Sequence, residues 1–291
     1  RIDALAAEGV RCQDVLTAAP ITLPAHATIL TGLFPTAHGV RDNGAFSLAA
    51  KAVTLAEVLA KEGYDTAAFV SALVLNRRYG LEQGFALYDD DLWAEADPKL
   101  FMIRERPAAK TTDRFLSWFA RREERADRRP FFAWIHFFEP HQPYVPPFWA
   151  RQITPTAYDG EVAVVDREIG RLASFLKQRR RLDSTLLVLT ADHGESLGEH
   201  GEKTHAVFIY QATVCVPLIL RYPARFAAGR VCGQPLHSAD IAPTLLGILG
   251  VKPPAGLQGI DATGILAGSR EAKGRPLYCE SRVSELGFGM A

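Results

Sequence analysis

Residues 184–194 read STLLVLTADHG, a continuous apolar run that ends in an aspartate–histidine pair. A short apolar run of this kind is typical of a strand that is buried on both faces, as in a parallel sheet. We predict a strand over Ser184–Thr190 that delivers Asp192 and His193 at its carboxyl end. Ligands of open α/β sheets bind beyond that end of the strands. The stretch therefore indicates both the fold class and the place of a site.

Helix and strand patterns alternate on either side of this stretch. Glu161–Lys177 carries apolar residues at helical spacing, and Phe131–Phe138 is an apolar run with a proline on each side. Thr66–Ser71 and Val214–Leu220 are predicted as further strands. This alternation predicts an α/β fold, with a mainly parallel sheet sandwiched by helices.

Two more helices are bounded by residues that favour helix ends. Thr54–Lys61 begins with a capping residue, and Ala239–Leu249 follows a Ser238 cap and stops at Gly250. The charged run Arg121–Arg129 is interpreted as a solvated helix end or loop.

Composition limits the classes of function. The chain has 291 residues, of which 48% are hydrophobic and 23% charged, as expected for a folded protein. Lysine plus arginine (33) balances aspartate plus glutamate (33), so we expect no general attraction to nucleic-acid polymers. No apolar run reaches the length of a membrane span, so no transmembrane segment is predicted in this chain.

The cysteines and the chain ends complete this outline. The cysteines are far apart in sequence and are interpreted mainly as core residues rather than as a zinc ribbon or a disulfide framework. They are Cys12, Cys215, Cys232 and Cys279. The first residues resemble the middle of a helix and the last follow a strand-like segment. We therefore expect a single catalytic domain over residues 1–291, truncated at both ends and lacking its first strand and a C-terminal part.

Residues 22–32, TLPAHATILTG, are the most informative for function. Pro24 can occupy the first turn of a helix, where its missing N–H would have no partner. The unpaired N–H groups and the positive dipole end of that helix are expected to face Thr22 and to suit phosphate or sulfate oxygens.

Other polar residues are expected to converge on the same edge of the sheet. His141 follows the Phe131 strand, and Lys203 and His205 follow the Asp192–His193 pair. Each also has a simpler interpretation. Thr22 could be a helix cap, Asp192 a turn cap, His193 a hydrogen-bonded surface histidine and His141 part of a stiff loop. His26 and His38 could simply pack or cap the helix, and His200 could equally be a solvated residue or a ligand.

Four segments resemble the sulfatase group of the alkaline phosphatase superfamily. They cover residues 22–39, 136–144, 190–201 and 240–246, in the order found in that group. The resemblance implies an alkaline phosphatase-like α/β fold and a set of site residues. It implies that Thr22 is the nucleophile and that a divalent metal is bound by Thr22, Asp192 and His193. It also implies that His141 and His205 contact the substrate anion or bind a second metal. Lys203 is a further catalytic candidate. Mixed oxygen and nitrogen ligands favour zinc or manganese, with calcium possible.

Two departures from the group bear on the reaction. True sulfatases resemble Cys/Ser-x-Pro-x-Arg at the nucleophile, with the first residue oxidised to formylglycine, whereas this chain has Thr22 and His26 there. The Thr-x-Pro-x-His form resembles nucleotide pyrophosphatase/phosphodiesterases, in which threonine attacks phosphorus directly. The group also carries an acidic metal ligand on a first strand, upstream of residue 1.

These features give three functional hypotheses. The leading one is a metal-dependent hydrolase or transferase of phosphoesters that forms a covalent threonine ester. The second is a sulfatase (a sulfuric ester hydrolase), and the third is a catalytically silent binding domain. The substrate class expected is a small-molecule, lipid-linked or glycan-linked phosphate or sulfate ester. Relatives of this group often act outside the cytoplasm, so an extracytoplasmic location is expected.

Overall fold

The structure, a computed structural model, describes residues 1–92, 105–272 and 274–288. The chain divides into two compact units. The first contains residues 1–2, 59–77 and 84–182, and the second contains residues 3–58, 78–83 and the chain from 183 onward. The expectation of one catalytic domain over residues 1–291 stays a prediction, and each unit is described by itself.

The strands and helices have the following bounds. The strands are β1 (Val10–Cys12), β2 (Val15–Leu16), β3 (Asp65–Phe69), β4 (Leu87–Asp89), β5 (Phe131–Ile135), β6 (Leu187–Thr190), β7 (Leu218–Arg221), β8 (Arg230–Cys232) and β9 (Leu236–His237). The helices are α1 (Ile2–Ala7), α2 (Thr22–Thr31), α3 (Pro35–His38), α4 (Leu55–Lys61), α5 (Ala108–Glu124), α6 (Phe148–Arg151), α7 (Ala157–Gln178), α8 (Gln211–Val214), α9 (Ile241–Leu249), α10 (Thr263–Ala267) and α11 (Val283–Phe288).

The first unit contains a parallel sheet of order β4-β3-β5. Helix α7 is the predicted amphipathic helix of this unit, whereas α5 was not predicted beyond the charged run at its end, and the apolar faces of the two helices meet through aromatic rings. The ring of Phe119 lies 5.6 Å from that of Phe175 on α7 and 5.3 Å from that of Phe131 on β5. The predicted strands at Thr66 and Phe131 and the helix at Glu161 are therefore confirmed, with shifted ends.

The charged run after α5 is only partly solvated. The helix ends at Glu124, and most side chains beyond it are exposed, as predicted. Arg122, in the last turn of α5, is the exception within the run Arg121–Arg129, because its side chain is buried and its Nε donates a 2.7 Å hydrogen bond to Asp65. A buried cation is tolerated here because it is paired with a carboxylate.

The second unit contains a mixed sheet of order β6-β7-β1-β8 and a separate two-stranded parallel sheet, β2-β9. Strand β1 is parallel to β8, whereas β7 is antiparallel to both β1 and β6. The predicted α/β fold with a mainly parallel sheet is confirmed, and within this sheet β7 is the strand that runs opposite to the other three. Parallel neighbours need a crossover that is usually a helix. The chain between β6 and β7 instead forms a loop that reverses its direction, and the only α-helix in it is the four-residue α8.

Two helix starts differ in how they are capped. At α4, Thr54 Oγ accepts from the N–H of Glu57, and the Glu57 carboxylate accepts from the N–H of Thr54, a capping box. The predicted Ser238 cap is wrong. His237 caps a 3₁₀ turn at residues 238–240 by accepting from the N–H of Ala239, and α9 follows this turn and stops at Gly250.

The cysteines are only partly core residues. Cys12 and Cys232 are buried and lie opposite each other on β1 and β8, whereas Cys215 is exposed and Cys279 is half-buried. All four are free thiols, as expected without a disulfide framework. Across the described part of the chain, every helix is too short or too polar to span a bilayer.

Candidate active site

The second unit brings together four of the predicted site residues. Thr22 begins α2, Asp192 and His193 follow β6, and His205 lies on the loop beyond them. Thr22 Oγ lies 3.4 Å from His193 Nε2, and the same nitrogen lies 3.4 Å from Asp192 Oδ2. The rings of His193 and His205 are 4.1 Å apart. Residues far apart in sequence thus converge on one small region.

The protonation of His193 follows from its partners. Its Nδ1 lies 2.9 Å from the carbonyl oxygen of Gly194, and because a carbonyl can only accept, Nδ1 carries the proton. Burial lowers the pKa of His193, opposed by the Asp192 carboxylate, so the neutral imidazole is favoured. Its Nε2 therefore presents a lone pair to the lone pairs of Asp192 and to the hydroxyl of Thr22.

His26 belongs to this region, although its sequence context suggested only packing. It is buried on α2, and its Nδ1 donates to the Thr22 carbonyl at 2.9 Å and lies 3.5 Å from Asp192 Oδ2. The sequence signal that could have identified His26 was its spacing from Thr22. A side chain four residues after Thr22 lies on the same face of the helix.

The start of α2 offers fewer backbone donors than predicted. The N–H of Leu23 donates to Asn43 Oδ1 at 2.8 Å, Pro24 has no N–H, and the N–H of Ala25 returns to the Ile21 carbonyl. The expectation that unpaired N–H groups of this helix would face an anion is therefore wrong for these residues. Asn43 occupies that place because a buried N–H must be paired.

Glu195 is a second residue that sequence reasoning missed. Its Oε1 lies 3.1 Å from Nδ1 of His205, and both side chains are nearly buried. The signal in the sequence was weak, because a carboxylate two residues after a histidine is common on solvated loops. Lys203 is exposed on this loop, and His200 stacks on Tyr210 with ring centroids 4.0 Å apart.

His141 belongs to the first unit. It follows β5, its N–H donates to Glu161 Oε2 at 3.0 Å, and its Nδ1 donates to the Gln142 carbonyl. Burial raises the pKa of Glu161, opposed by the backbone N–H groups of Val145 and His141. The predicted role of His141 at the substrate stays a prediction.

His38 is structural, as the packing alternative predicted. The N–H of Val40 donates to its Nδ1 at 3.1 Å, so its Nε2 donates to Thr28 Oγ on α2. Burial lowers the pKa of His38 to about 4. The residue therefore stays neutral near pH 7 and supports the helix that carries Thr22.

Gly194 is required by a close approach directly after His193. A Cβ at this position would lie 2.1 Å from the carbonyl oxygen of Ala212, and the Gly194 N–H donates to the Thr213 carbonyl at 2.8 Å.

We expect Gly194→Ala to lower the free energy of unfolding by about 1–3 kcal/mol, as overpacking does, and to displace the loop that carries His205. Urea denaturation measures this change. Gly274→Ala is the matched control, because a Cβ there meets nothing within 4 Å. Equal stability of the two variants would contradict the prediction.

Comparisons with known proteins identify the family of this chain. The family model named Sulfatase matches residues 1–251. The chain belongs to the sulfatase family. It is 37% identical over 118 residues to the N-acetylglucosamine-6-O-sulfatase of Bacteroides thetaiotaomicron, a match that covers 40% of this chain and 21% of that protein. It is 24% identical over 316 residues to the ulvan-active sulfatase of Formosa agariphila, covering 91% of this chain and 59% of that protein.

The fold extends to enzymes named for another ester class. The crystal structure of the phosphonate monoester hydrolase of Agrobacterium radiobacter aligns with a TM-score of 0.77 at 23% identity, covering 96% of this chain and 73% of that chain. At this identity the likeness shows the fold alone. This sulfatase-family chain spans less than two thirds of the length of the curated relatives named above.

Proposed function

We propose that this chain carries the catalytic centre of a metal-dependent ester hydrolase in which Thr22 is the nucleophile. The observation that carries the proposal is the convergence of three polar atoms. His193 Nε2 lies 3.4 Å from Thr22 Oγ and 3.4 Å from Asp192 Oδ2. Two of these atoms are acceptors that face each other. Such a contact is unfavourable unless a cation lies between them.

The donor set fits a divalent metal. Two ligand atoms about 2.0–2.1 Å from a tetrahedral zinc ion lie about 3.4 Å from each other. Within the described residues, no group of three or more His, Cys, Asp or Glu side chains could hold a metal ion. Asp192 and His193 would therefore share the ion with the Thr22 oxygen. Zinc and manganese remain favoured and calcium possible, because the set mixes oxygen and nitrogen.

The protein's own residues would then act in two steps. A divalent cation, when bound, lowers the pKa of a ligated hydroxyl and neutralises negative charge on a transferring group. Thr22 Oγ forms a bond to phosphorus or sulfur, and the bond from that atom to the alcohol oxygen breaks, so the alcohol leaves with one proton. Water then adds to the same atom and restores the Thr22 hydroxyl. Lys203 would contact the substrate anion, and His205, beside His193, would bind a second cation or accept a proton in the step in which water adds.

We favour a phosphoester over a sulfate ester as substrate. Formylglycine is an aldehyde, and the branched β-carbon of threonine cannot yield an aldehyde on oxidation. Thr22 must therefore act as a hydroxyl nucleophile. His26 also stands where the sulfatase pattern has an arginine, so the site has one permanent positive charge fewer, which among phosphoesters suits a singly charged diester better than a doubly charged monoester. Sulfate esters are the second candidate, because the named relatives are sulfatases.

Four substrates with one leaving group separate these two candidates. We expect the intact, metal-supplemented protein to give a higher kcat/KM on 4-nitrophenyl phosphodiester or phosphonate than on 4-nitrophenyl phosphate or sulfate, by at least tenfold. A sulfate rate above all phosphorus rates would assign the protein to sulfate esters. Binding of these esters with no turnover of any would favour the silent binding domain.

The partner and the location are part of the proposal. Named relatives include a sulfatase of an amino sugar, a sulfatase active on ulvan and an extracellular sulfatase homologue of Drosophila melanogaster. These names favour a glycan-linked or small-molecule ester as substrate and an extracytoplasmic location. A reporter fusion read in intact and lysed cells tests the location.

A further inference from the structure

The loop after His193 folds back so that its two ends meet. The Gly194 N–H donates to the Thr213 carbonyl, and inside the loop the Ser196 N–H donates to the Thr204 carbonyl at 3.1 Å. Ser196 Oγ is buried and donates to the Glu202 carbonyl at 2.9 Å. Compact loops with close ends are frequently functional. These bonds bring the two flanking residues, Glu195 and His205, side by side.

The contact between Glu195 and His205 fixes the chemistry of the imidazole. The two side chains are 6% and 11% exposed, and Glu195 Oε1 lies 3.1 Å from His205 Nδ1. An ionised carboxylate can only accept a hydrogen bond, so Nδ1 carries the proton. In the neutral ring Nε2 then holds a lone pair. The same ring lies 4.1 Å from that of His193, next to Thr22.

We propose that Glu195 is a positioning residue that holds His205 in the tautomer with Nδ1 protonated and Nε2 unprotonated. The inference rests on the proposed function, because the hydrolysis of an ester is what gives the unprotonated Nε2 of His205 a role. An unprotonated Nε2 can take a proton from the water that releases the threonine ester, or bind a cation. The opposite tautomer can do neither through that nitrogen.

A carboxylate suits this task better than the other neighbour of the ring. Thr204 Oγ lies 3.4 Å from His205 Nδ1, a longer contact than that of Glu195. A hydroxyl can donate as well as accept, so it stabilises either tautomer. Only the acceptor-only group selects one of them. Histidines that bind metals or act in catalysis are commonly held this way by a carboxylate.

Long-range ¹H–¹⁵N NMR of the histidine rings reads the tautomer directly. The chain has 8 histidines, and the signal of His205 is assigned by its loss in His205→Gln. We expect the Nδ1-protonated tautomer to dominate in the wild type. Glu195→Gln offers both an acceptor and a donor and should give a mixture, and Glu195→Leu should give mainly the other tautomer. Glu199→Gln is the control, because Glu199 lies on the same loop, is exposed and bonds to Ser196 and Leu197.

Kinetics provide the second measurement. Loss of a carboxylate behind a functional histidine costs about 10–100-fold, so kcat of Glu195→Gln should fall by that factor while KM changes less than about threefold. An unchanged His205 tautomer in both Glu195 variants would overturn the proposal. If Glu195→Leu fails to fold, Glu195→Gln alone decides. If the wild type hydrolyses no ester, the proposed function fails, and the tautomer still decides whether Glu195 positions His205.

Discussion

Thr22→Ala is expected to lower kcat/KM on the preferred aryl ester by roughly 10⁴-fold or more, about 5.5 kcal/mol of transition-state stabilisation. The loss is large because the variant removes the atom that forms the covalent bond. The methyl side chain of alanine fills part of the same space, so the helix start should persist. Stopped assays with 4-nitrophenyl esters measure the change, and circular dichroism checks the fold.

Thr22→Ser is the matched control. It keeps the hydroxyl and removes only the γ-methyl group, so it should retain activity within about 10–100-fold of the wild type. Mass spectrometry of the peptide that contains Thr22, after rapid acid quenching, should show the covalent ester in the wild type and the serine variant. Equal activity of Thr22→Ala and the wild type would show that another group attacks the ester.

The elements with strong local patterns were predictable from the sequence. The apolar run before Asp192 becomes β6 (Leu187–Thr190), and the helical spacing around Val165 becomes α7 (Ala157–Gln178). Both follow from which side chains are apolar within a short window. The antiparallel direction of β7 was not predictable, because the long loop between β6 and β7 decides it and its path depends on contacts distant in sequence.

The candidate site divides in the same way. Thr22, Asp192, His193 and His205 could be named because each stands in a motif or follows a strand end. The contact of His26 with Asp192 and that of Glu195 with His205 depend on how a helix and a loop are oriented, which local patterns do not contain. At Leu23, the unpaired N–H that was predicted at the start of α2 is absent for a related reason. Asn43, 20 residues after Leu23, takes the N–H of that residue.

Asp192→Asn is expected to abolish metal binding by the intact protein. The neutral amide removes one charged ligand, so we expect bound zinc or manganese, measured by elemental analysis after equilibrium dialysis, to fall at least tenfold. The kcat/KM should fall by about 10²–10³-fold, as for removal of a strong electrostatic contact to the reacting group. A chelator should cause a similar loss in the wild type, and added zinc or manganese should reverse it.

The stability of the metal-free proteins makes this prediction specific. In the metal-free wild type, Asp192 Oδ2 faces the lone pair of His193 Nε2 at 3.4 Å, whereas an asparagine can turn its NH₂ group toward that nitrogen and donate. Metal-free Asp192→Asn should therefore be at least as stable as the metal-free wild type, gaining up to about 1 kcal/mol. Metal at a hundredfold excess over Kd should add about 2.7 kcal/mol to the free energy of unfolding of the wild type and so raise its Tm. The Tm of the variant should stay unchanged. Asp183→Asn, at an exposed aspartate bonded to Arg221, is the control that keeps the metal response. A destabilised metal-free Asp192→Asn that still binds metal would mean that the carboxylate serves the fold and that no cation lies between Asp192 and His193.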